Sequence, residues 1–333
     1  MKKSNKTPLV SICCIAYNHE KFISKCIEGF LMQKTKFVFE ILIHDDASTD
    51  NTQAIIKKYA KNNKELIITV LQEKNQWSKR KRIIREFLYP KVKGKYIALC
   101  EGDDFWIDPY KLQKQVNFLE SHPKYGLVRT DHDVLFDKTQ KSFRYRNVYH
   151  DNKITSGDIY NDLLIENTIG TLTVLYRKKI LDDNFSSPFI SGEMKYKMGD
   201  YPMWLLISLH SKIGYISDST ATYRVLESSA SHFTDVKKKY EFLMSEFQVK
   251  FDFIKAFGCK KEVEEKIFKS YYKVKIKYGF LLEDFKMIKK YYKKLLLISK
   301  PSLKERMLYL STESNFNWYI TNIIIKYKNS LSI

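Results

Sequence analysis

The sequence predicts an α/β protein with a mainly parallel sheet, followed by an α-helical region. Continuous apolar runs of strand length alternate, through residues 9–119, with segments whose apolar residues recur at helical spacing. Several of those runs stop abruptly in polar or acidic clusters, as parallel strands do where a ligand lies beyond their carboxyl ends. From about Asp235 onward, strand signals and Gly-rich turns vanish and Lys, Tyr, Phe and Ile recur at helical periods.

Leu9 to Ala16 reads as a buried strand ending at Tyr17-Asn18-His19, and Glu20 to Gln33 as a helix with Phe22, Ile23, Cys26, Ile27, Phe30 and Leu31 on one face. Phe37 to Ile43 is a second strand. Beyond it, Ser48 or Thr49 suits the cap of a helix facing inward through Ile55, Ile56 and Tyr59. Glu65 to Leu71 is a third strand. Lys79 to Tyr89 is basic on one side and apolar at Ile83, Ile84, Phe87 and Leu88. Lys95 to Cys100 is a fourth strand and Pro109 to Leu119 the next helix. Leu127 to Thr130 and Thr171 to Tyr176 read as strands, with a polar connection at Lys138 to Lys153. A helix over Met203 to Leu209 follows Gly199-Asp200-Tyr201-Pro202, and Gly214 to Ser217 and Thr220 to Val225 read as two short strands. A domain boundary falls near His232, dividing residues 1–232 from a basic, aromatic-rich helical region at 233–333.

A chain of 333 residues can bury a sizeable core. Its net charge of +20 favours anionic partners (nucleic acid, acidic headgroups, phosphorylated substrates) or reflects a Lys-rich solvated surface. The five cysteines (Cys13, Cys14, Cys26, Cys100, Cys259) are odd in number, mostly within apolar strands and without C-x-x-C spacing, which argues against a disulfide framework or zinc site and suits a reducing compartment. With no signal-peptide pattern and no apolar run of membrane length, the expected location is cytoplasmic, or peripheral on the inner face of the cell membrane.

Three strand ends carry the chemistry: Tyr17-Asn18-His19, Asp45-Asp46-Ala47-Ser48 and Glu101-Gly102-Asp103-Asp104. The first offers an aromatic face and a backbone edge. The second offers acceptors for a base N–H or ribose hydroxyls, although Asp45 to Asp50 also has the composition of a turn and helix cap. The third holds more carboxylate than a cap needs and suits a hard cation on substrate phosphates. Together they sketch a pocket for a nucleoside diphosphate with a metal on its phosphates. The first strand ends without any Gly, so a dinucleotide fingerprint is excluded, and no P-loop occurs. The alternatives are a sugar nucleotidyltransferase, which needs a Gly-rich N-terminal phosphate loop, and a non-catalytic basic binding protein, which leaves the carboxylates idle.

These residues resemble bacterial glycosyltransferase family 2: Pro8-Leu9-Val10-Ser11-Ile12 leading to Tyr17-Asn18, Glu40-Ile41-Leu42-Ile43-His44-Asp45-Asp46-Ala47-Ser48-Thr49-Asp50, and Gly94-Lys95-Tyr96-Ile97 leading to Glu101-Gly102-Asp103-Asp104. The resemblance spans roughly residues 8–120, weakens to about 232 and is absent beyond. It implies a GT-A fold and transfer of a sugar, with inversion, from a nucleoside-diphosphate sugar, a UDP-sugar first, to a saccharide or lipid-linked saccharide in bacterial surface polysaccharide synthesis. It implies a nucleotide site at Ala16, Tyr17, Asn18, Glu20, Asp45, Asp46 and Ser48. The acid cluster corresponds to the Asp-x-Asp motif, with Mg²⁺ or Mn²⁺ on Asp103, aided by Asp104 and Glu101; Glu101 departs from the family's Asp. The catalytic base is implied to be an acid opening a helix roughly a hundred residues later, which points to Asp200, with Glu193 in reserve. Asp200 is also a good helix cap. Arg82, Trp106, Thr171, Arg224 and His232 become candidate donor or acceptor contacts; Arg224 has the alternative of pairing with an acid at the sheet edge. Nucleic acid is not an expected partner. The Lys and aromatic clusters of the C-terminal region, including Lys289-Lys290-Tyr291-Tyr292-Lys293-Lys294 and the run from Trp318 to Tyr327, suit either helices packed with lysines outward or contact with an anionic membrane.

Overall fold

The computed structural model describes residues 7–79, 81–144, 155–226 and 235–313. The chain forms two compact units, Met1–Glu227 and Ser228–Ile333. The described residues of the first are built on a nine-stranded sheet. The apolar runs of β1 (Val10–Ala16), β2 (Phe39–Asp45), β3 (Ile67–Leu71) and β4 (Tyr96–Glu101) pair in parallel, with β1 between β2 and β4. Strands buried on both faces show no polar alternation, which is why these read as continuous runs. One face is covered by α1 (Ile23–Leu31), through Ile23, Cys26, Ile27 and Phe30, and by α3 (Lys111–Ser121), through Leu112, Val116 and Leu119. Between β2 and β3 lies α2 (Thr52–Asn62), whose Ile56 is fully buried.

Register brings the polar strand ends together. Ala16 lies beside Asp45, and Ile15 beside Glu101, so the carboxyl ends of β1, β2 and β4 finish at one level. The two-residue β5 (Phe105–Trp106) follows the acidic turn and pairs with β9 (Lys212–Val225). β6 (Tyr125–Phe136) pairs in parallel with β9 through bulges at Thr130 to His132, which carry β9 on as one strand where two short ones were expected. The connection after β6 contains a strand that its polarity hid, β7 (Lys141–Arg144), hydrogen-bonded to β6. A short helix, α4 (Tyr160–Ile165), precedes β8 (Val174–Arg177), which is antiparallel to both β4 and β6; the start of the expected Thr171–Tyr176 strand is instead a 3₁₀ turn. Two more short helices, α5 (Lys178–Asp183) and α6 (Pro188–Ser191), lead to α7 (Asp200–His210). Lys79 to Tyr89 is not a regular helix: 3₁₀ turns flank a π-helical turn at Ile84–Leu88, and Pro90 stops its continuation.

The second unit contains α8 (Val236–Phe257), α9 (Lys261–Leu281), α10 (Phe285–Ile298) and α11 (Leu303–Leu310). Ile276 and Phe280 of α9, Ile288 and Leu295 of α10 and Leu308 of α11 form its small core. Cys13, Cys14, Cys26 and Cys100 are buried free thiols. His232 and the run from Trp318 to Tyr327 lie outside the described residues.

Candidate active site

The first wall of the site is two loops laced together by side chain to backbone bonds. Asn18 stands in the left-handed region at φ 56°; its N–H donates to Ser48 Oγ at 2.9 Å and its Oδ1 accepts from Thr49 N at 2.8 Å. His19 N donates to Thr52 Oγ1, and Glu20 N to Asp50 Oδ2, while Glu20 Oε2 accepts from Asn51 N at 3.0 Å. Ser48 thus joins the two loops instead of capping α2, where Asn51 takes the N-cap position. Asp45 accepts from Ser48 N, Ser48 Oγ and Gln53 Nε2. Asp46 is buried and receives Gln76 N at 2.8 Å and Trp77 N at 3.0 Å, so its carboxylate holds the start of the segment leading to Arg82. Tyr17 stands exposed at the rim, beside the buried Ala16.

The second wall is the acidic turn after β4. One carboxylate oxygen from each of Glu101, Asp103 and Asp104 lies within 4.8 Å of the others. Asp104 is buried and accepts the Arg224 main-chain N–H at 2.8 Å; Arg224 Nε donates to the Asp103 carbonyl at 3.0 Å and its Nη1 to Asp137 Oδ1 at 3.1 Å. Arg224 therefore braces the turn and pairs with Asp137, the residue that follows β6. Burial, then the charges of Asp103 and Glu101, raise the Asp104 carboxyl well above the usual range against the pull of Arg224. Glu101 is the exposed member of the cluster; even so, desolvation by its surroundings, then the charges of Asp103 and Asp200, push its carboxyl up to about 8. Such a cluster of hard oxygen donors, two of them held toward the neutral form by crowding, fits a Mg²⁺- or Mn²⁺-sized dication, which reverses that penalty.

His19, which sequence reasoning passed over as a site residue, packs against this turn with Nε2 at 3.9 Å from Asp103 Oδ2. Burial lowers its pKa, against the opposing influence of Asp103. Gly102 is required there: a Cβ would stand 2.8 Å from His19 Nδ1 and 3.1 Å from Ala16 Cβ. The only signal in the sequence was a histidine at a strand end, which by itself distinguishes nothing.

Asp200 is the first residue of α7, and its charge helps raise the Glu101 carboxyl. Thr171 Oγ1 lies 3.4 Å from Asp200 Oδ2. Arg82, expected to face the donor, turns elsewhere: its guanidinium donates to the carbonyls of Met194, Tyr196 and Met198, in the loop that leads into Asp200. Glu193 is exposed on that loop, its N–H donating to Ser191 Oγ. Trp106 corrects the sequence reading. Its ring is buried edge-on to Phe30 and its indole N–H donates to the Leu172 carbonyl at 3.0 Å, which makes it a core residue and not a ligand contact.

Residues 11–185 match the model of the glycosyl transferase family 2. An uncharacterized protein of Mycobacterium tuberculosis, Rv1520, is 30% identical over 70% of this chain, which spans 64% of that relative's length. The Escherichia coli UDP-Glc:alpha-D-GlcNAc-diphosphoundecaprenol beta-1,3-glucosyltransferase WfgD is 29% identical over 71% of this chain and 85% of its own. Among solved structures, the mannosyltransferase PcManGT from Pyrobaculum calidifontis, in complex with GDP-Man and Mn²⁺, superposes with a TM-score of 0.59 at 13% identity, covering 96% of this chain and 88% of the other. That likeness is one of fold: a GT-A-like α/β sheet followed by helices.

Proposed function

The chain belongs to glycosyl transferase family 2, and from that premise we propose that it moves a sugar, with inversion, from a UDP-sugar to a saccharide or lipid-linked saccharide acceptor in bacterial polysaccharide synthesis. Catalysis is assigned to residues 1–232, with residues 233–333 as an accessory helical region, and the working location is the cytoplasmic side of the membrane. The observation that carries the reading is the meeting of two acidic groups: the Glu101, Asp103 and Asp104 cluster at the end of β4, and Asp200 at the start of α7, whose charge is felt at Glu101. The activity that WfgD is named for supports the choice of donor and acceptor class. An acidic floor of this kind repels a nucleic-acid backbone, so the surplus positive charge is not read as a nucleic-acid site.

The chain's own residues divide the work. The laced loops of residues 17–20 and 45–52 form the nucleotide cradle, with Ala16, Tyr17, Asn18, Glu20, Asp45 and Ser48 at its edge; Asp46 supports it from beneath through residues 76 and 77. Asp103 would hold a divalent metal with Asp104 and Glu101, and Arg224 fixes the turn on which they stand. A Mg²⁺ or Mn²⁺ bound there supplies neutralising charge for the diphosphate leaving group. Asp200, at the N-terminus of α7, takes the proton of the attacking acceptor hydroxyl while Thr171 orients its carboxylate. The sugar passes through an oxocarbenium-like state and leaves with its anomeric configuration reversed.

The test is a panel of sugar nucleotides assayed with Mn²⁺ for nucleoside-diphosphate release and for a shift in Tm. At least one UDP-sugar should be turned over, and Asp200→Asn should lower that turnover by about 10²–10⁴-fold. A panel with neither release nor stabilisation would overturn the reading.

A further inference from the structure

The second unit carries a surface that glycosyl transfer does not use. Helix α10 buries Ile288 and Leu295 completely. Two residues advance a helix by just over half a turn, so Lys290 and Leu297 stand on the side opposite those two, and Lys293 stands near them. All three are exposed, Leu297 to 85%. Leu296 is 53% and Leu303 75% exposed, with the exposed Lys300 between them at the α10–α11 corner. Single exposed leucines are ordinary, but three within eight positions form a cluster that water alone does not favour. Helix α10 contains five lysines and no acidic residue.

The mixture selects the partner. Protein interfaces exclude lysine from their centres, and a second copy of this face would bring like charges together. An anionic bilayer accepts both components: leucines enter the headgroup–acyl boundary, while lysine stems lie along it with their ammonium groups at lipid phosphates. No helix of the described residues is long and apolar enough to cross a membrane. We infer that the α10–α11 corner is a peripheral docking surface for an anionic lipid bilayer, with Leu296, Leu297 and Leu303 inserting and Lys290, Lys293 and Lys300 meeting the headgroups. The surface lies wholly within the second unit and stands apart from the transferase reading.

The experiment is flotation of the full-length protein with vesicles of phosphatidylcholine alone, or of phosphatidylcholine and phosphatidylglycerol in equal parts, at low and physiological salt. The protein should float with the anionic vesicles, stay behind with the neutral ones, and detach as salt rises. Leu297→Ser with Leu303→Ser should weaken partitioning about tenfold or more. Lys290→Gln and Lys293→Gln should each weaken it about fivefold. Lys57→Gln with Lys58→Gln, on exposed positions of α2 in the first unit, should leave it unchanged. Wild-type protein that remains unbound at low salt, a leucine variant that floats like wild type, or a control variant that loses as much as the corner variants would each overturn the proposal. Sugar-nucleotide hydrolysis without vesicles, measured on the same preparations, separates the two readings. Hydrolysis by protein that does not float sinks the surface and leaves the transferase; flotation with no hydrolysis does the reverse.

Discussion

Each acid at the end of β4 meets a different neighbour: Asp104 the backbone of Arg224, Asp103 the His19 ring, and Glu101 the field of Asp200. Crowded carboxylates lower stability until a cation binds, so Mn²⁺ should raise the Tm of the wild type. Asp103→Asn should abolish most of that rise and lower turnover by about 10²-fold or more, with far-UV circular dichroism unchanged. Lys111 makes a separate case. It is fully buried on α3, donating to Gln115 Oε1 and the Thr173 carbonyl, and burial lowers its pKa from 10.5 to about 7. Below pH 7 the ammonium is charged in both folded and unfolded chains, so the full cost of burying it is felt. Between 7 and 10.5 the unfolded chain binds the extra proton, and stability rises with pH. Lys111→Met should flatten that slope in urea titrations; an unaltered slope would place its cause elsewhere. The acidic residues were legible because three carboxylates at the end of an apolar run have few inexpensive structural uses. Trp106 was misread because a tryptophan after a polar turn looks the same in sequence whether its ring faces the cleft or the core.

At the level of elements, the loop leading into α7 depends on one side chain more than a hundred residues earlier. Arg82 receives no carboxylate there, and its three carbonyl partners are all within residues 194–198. On the proposed reading it positions Asp200 through that loop. Arg82→Lys loses the planar fork and should reduce kcat by about tenfold or more while leaving the donor KM nearly unchanged; a change confined to donor KM would return Arg82 to the nucleotide. The β1, β2 and β4 strands were readable because burial on both faces writes an unbroken apolar run. β7 was not, since exposed Lys141 and Ser142 carry no apolar pattern and its pairing with β6 supplies the order. Likewise β9 crosses Ser217 to Ser219 as one strand because the bulge in its pairing with β6 absorbs the break that its polar residues suggest.

For the molecule as a whole, 58 Lys and Arg against 38 Asp and Glu give a self-repelling surface. Raising ionic strength from about 0.01 to about 0.15 M shortens the screening length from about 30 to about 8 Å. Calorimetry in sodium chloride should therefore show Tm rising by about 2 °C or more over that range. A fall would mean that local ion pairs such as Arg224 with Asp137 outweigh the global repulsion. This charge is the plainest feature of the composition and the least informative about the candidate site, because net charge reports the far field whereas the Glu101, Asp103 and Asp104 cluster is locally acidic.

The lacing of residues 17–20 to residues 45–52, with Asn18 and Ala47 both at positive φ, has a kinetic consequence. A receptor that is already ordered loses little entropy when its ligand arrives. On the proposed reading, it holds the departing nucleoside diphosphate about as readily as the incoming donor. Turnover in a closed vessel then slows well before the donor is exhausted, as accumulated product competes for the cradle, and an added phosphatase that removes the product restores the initial rate.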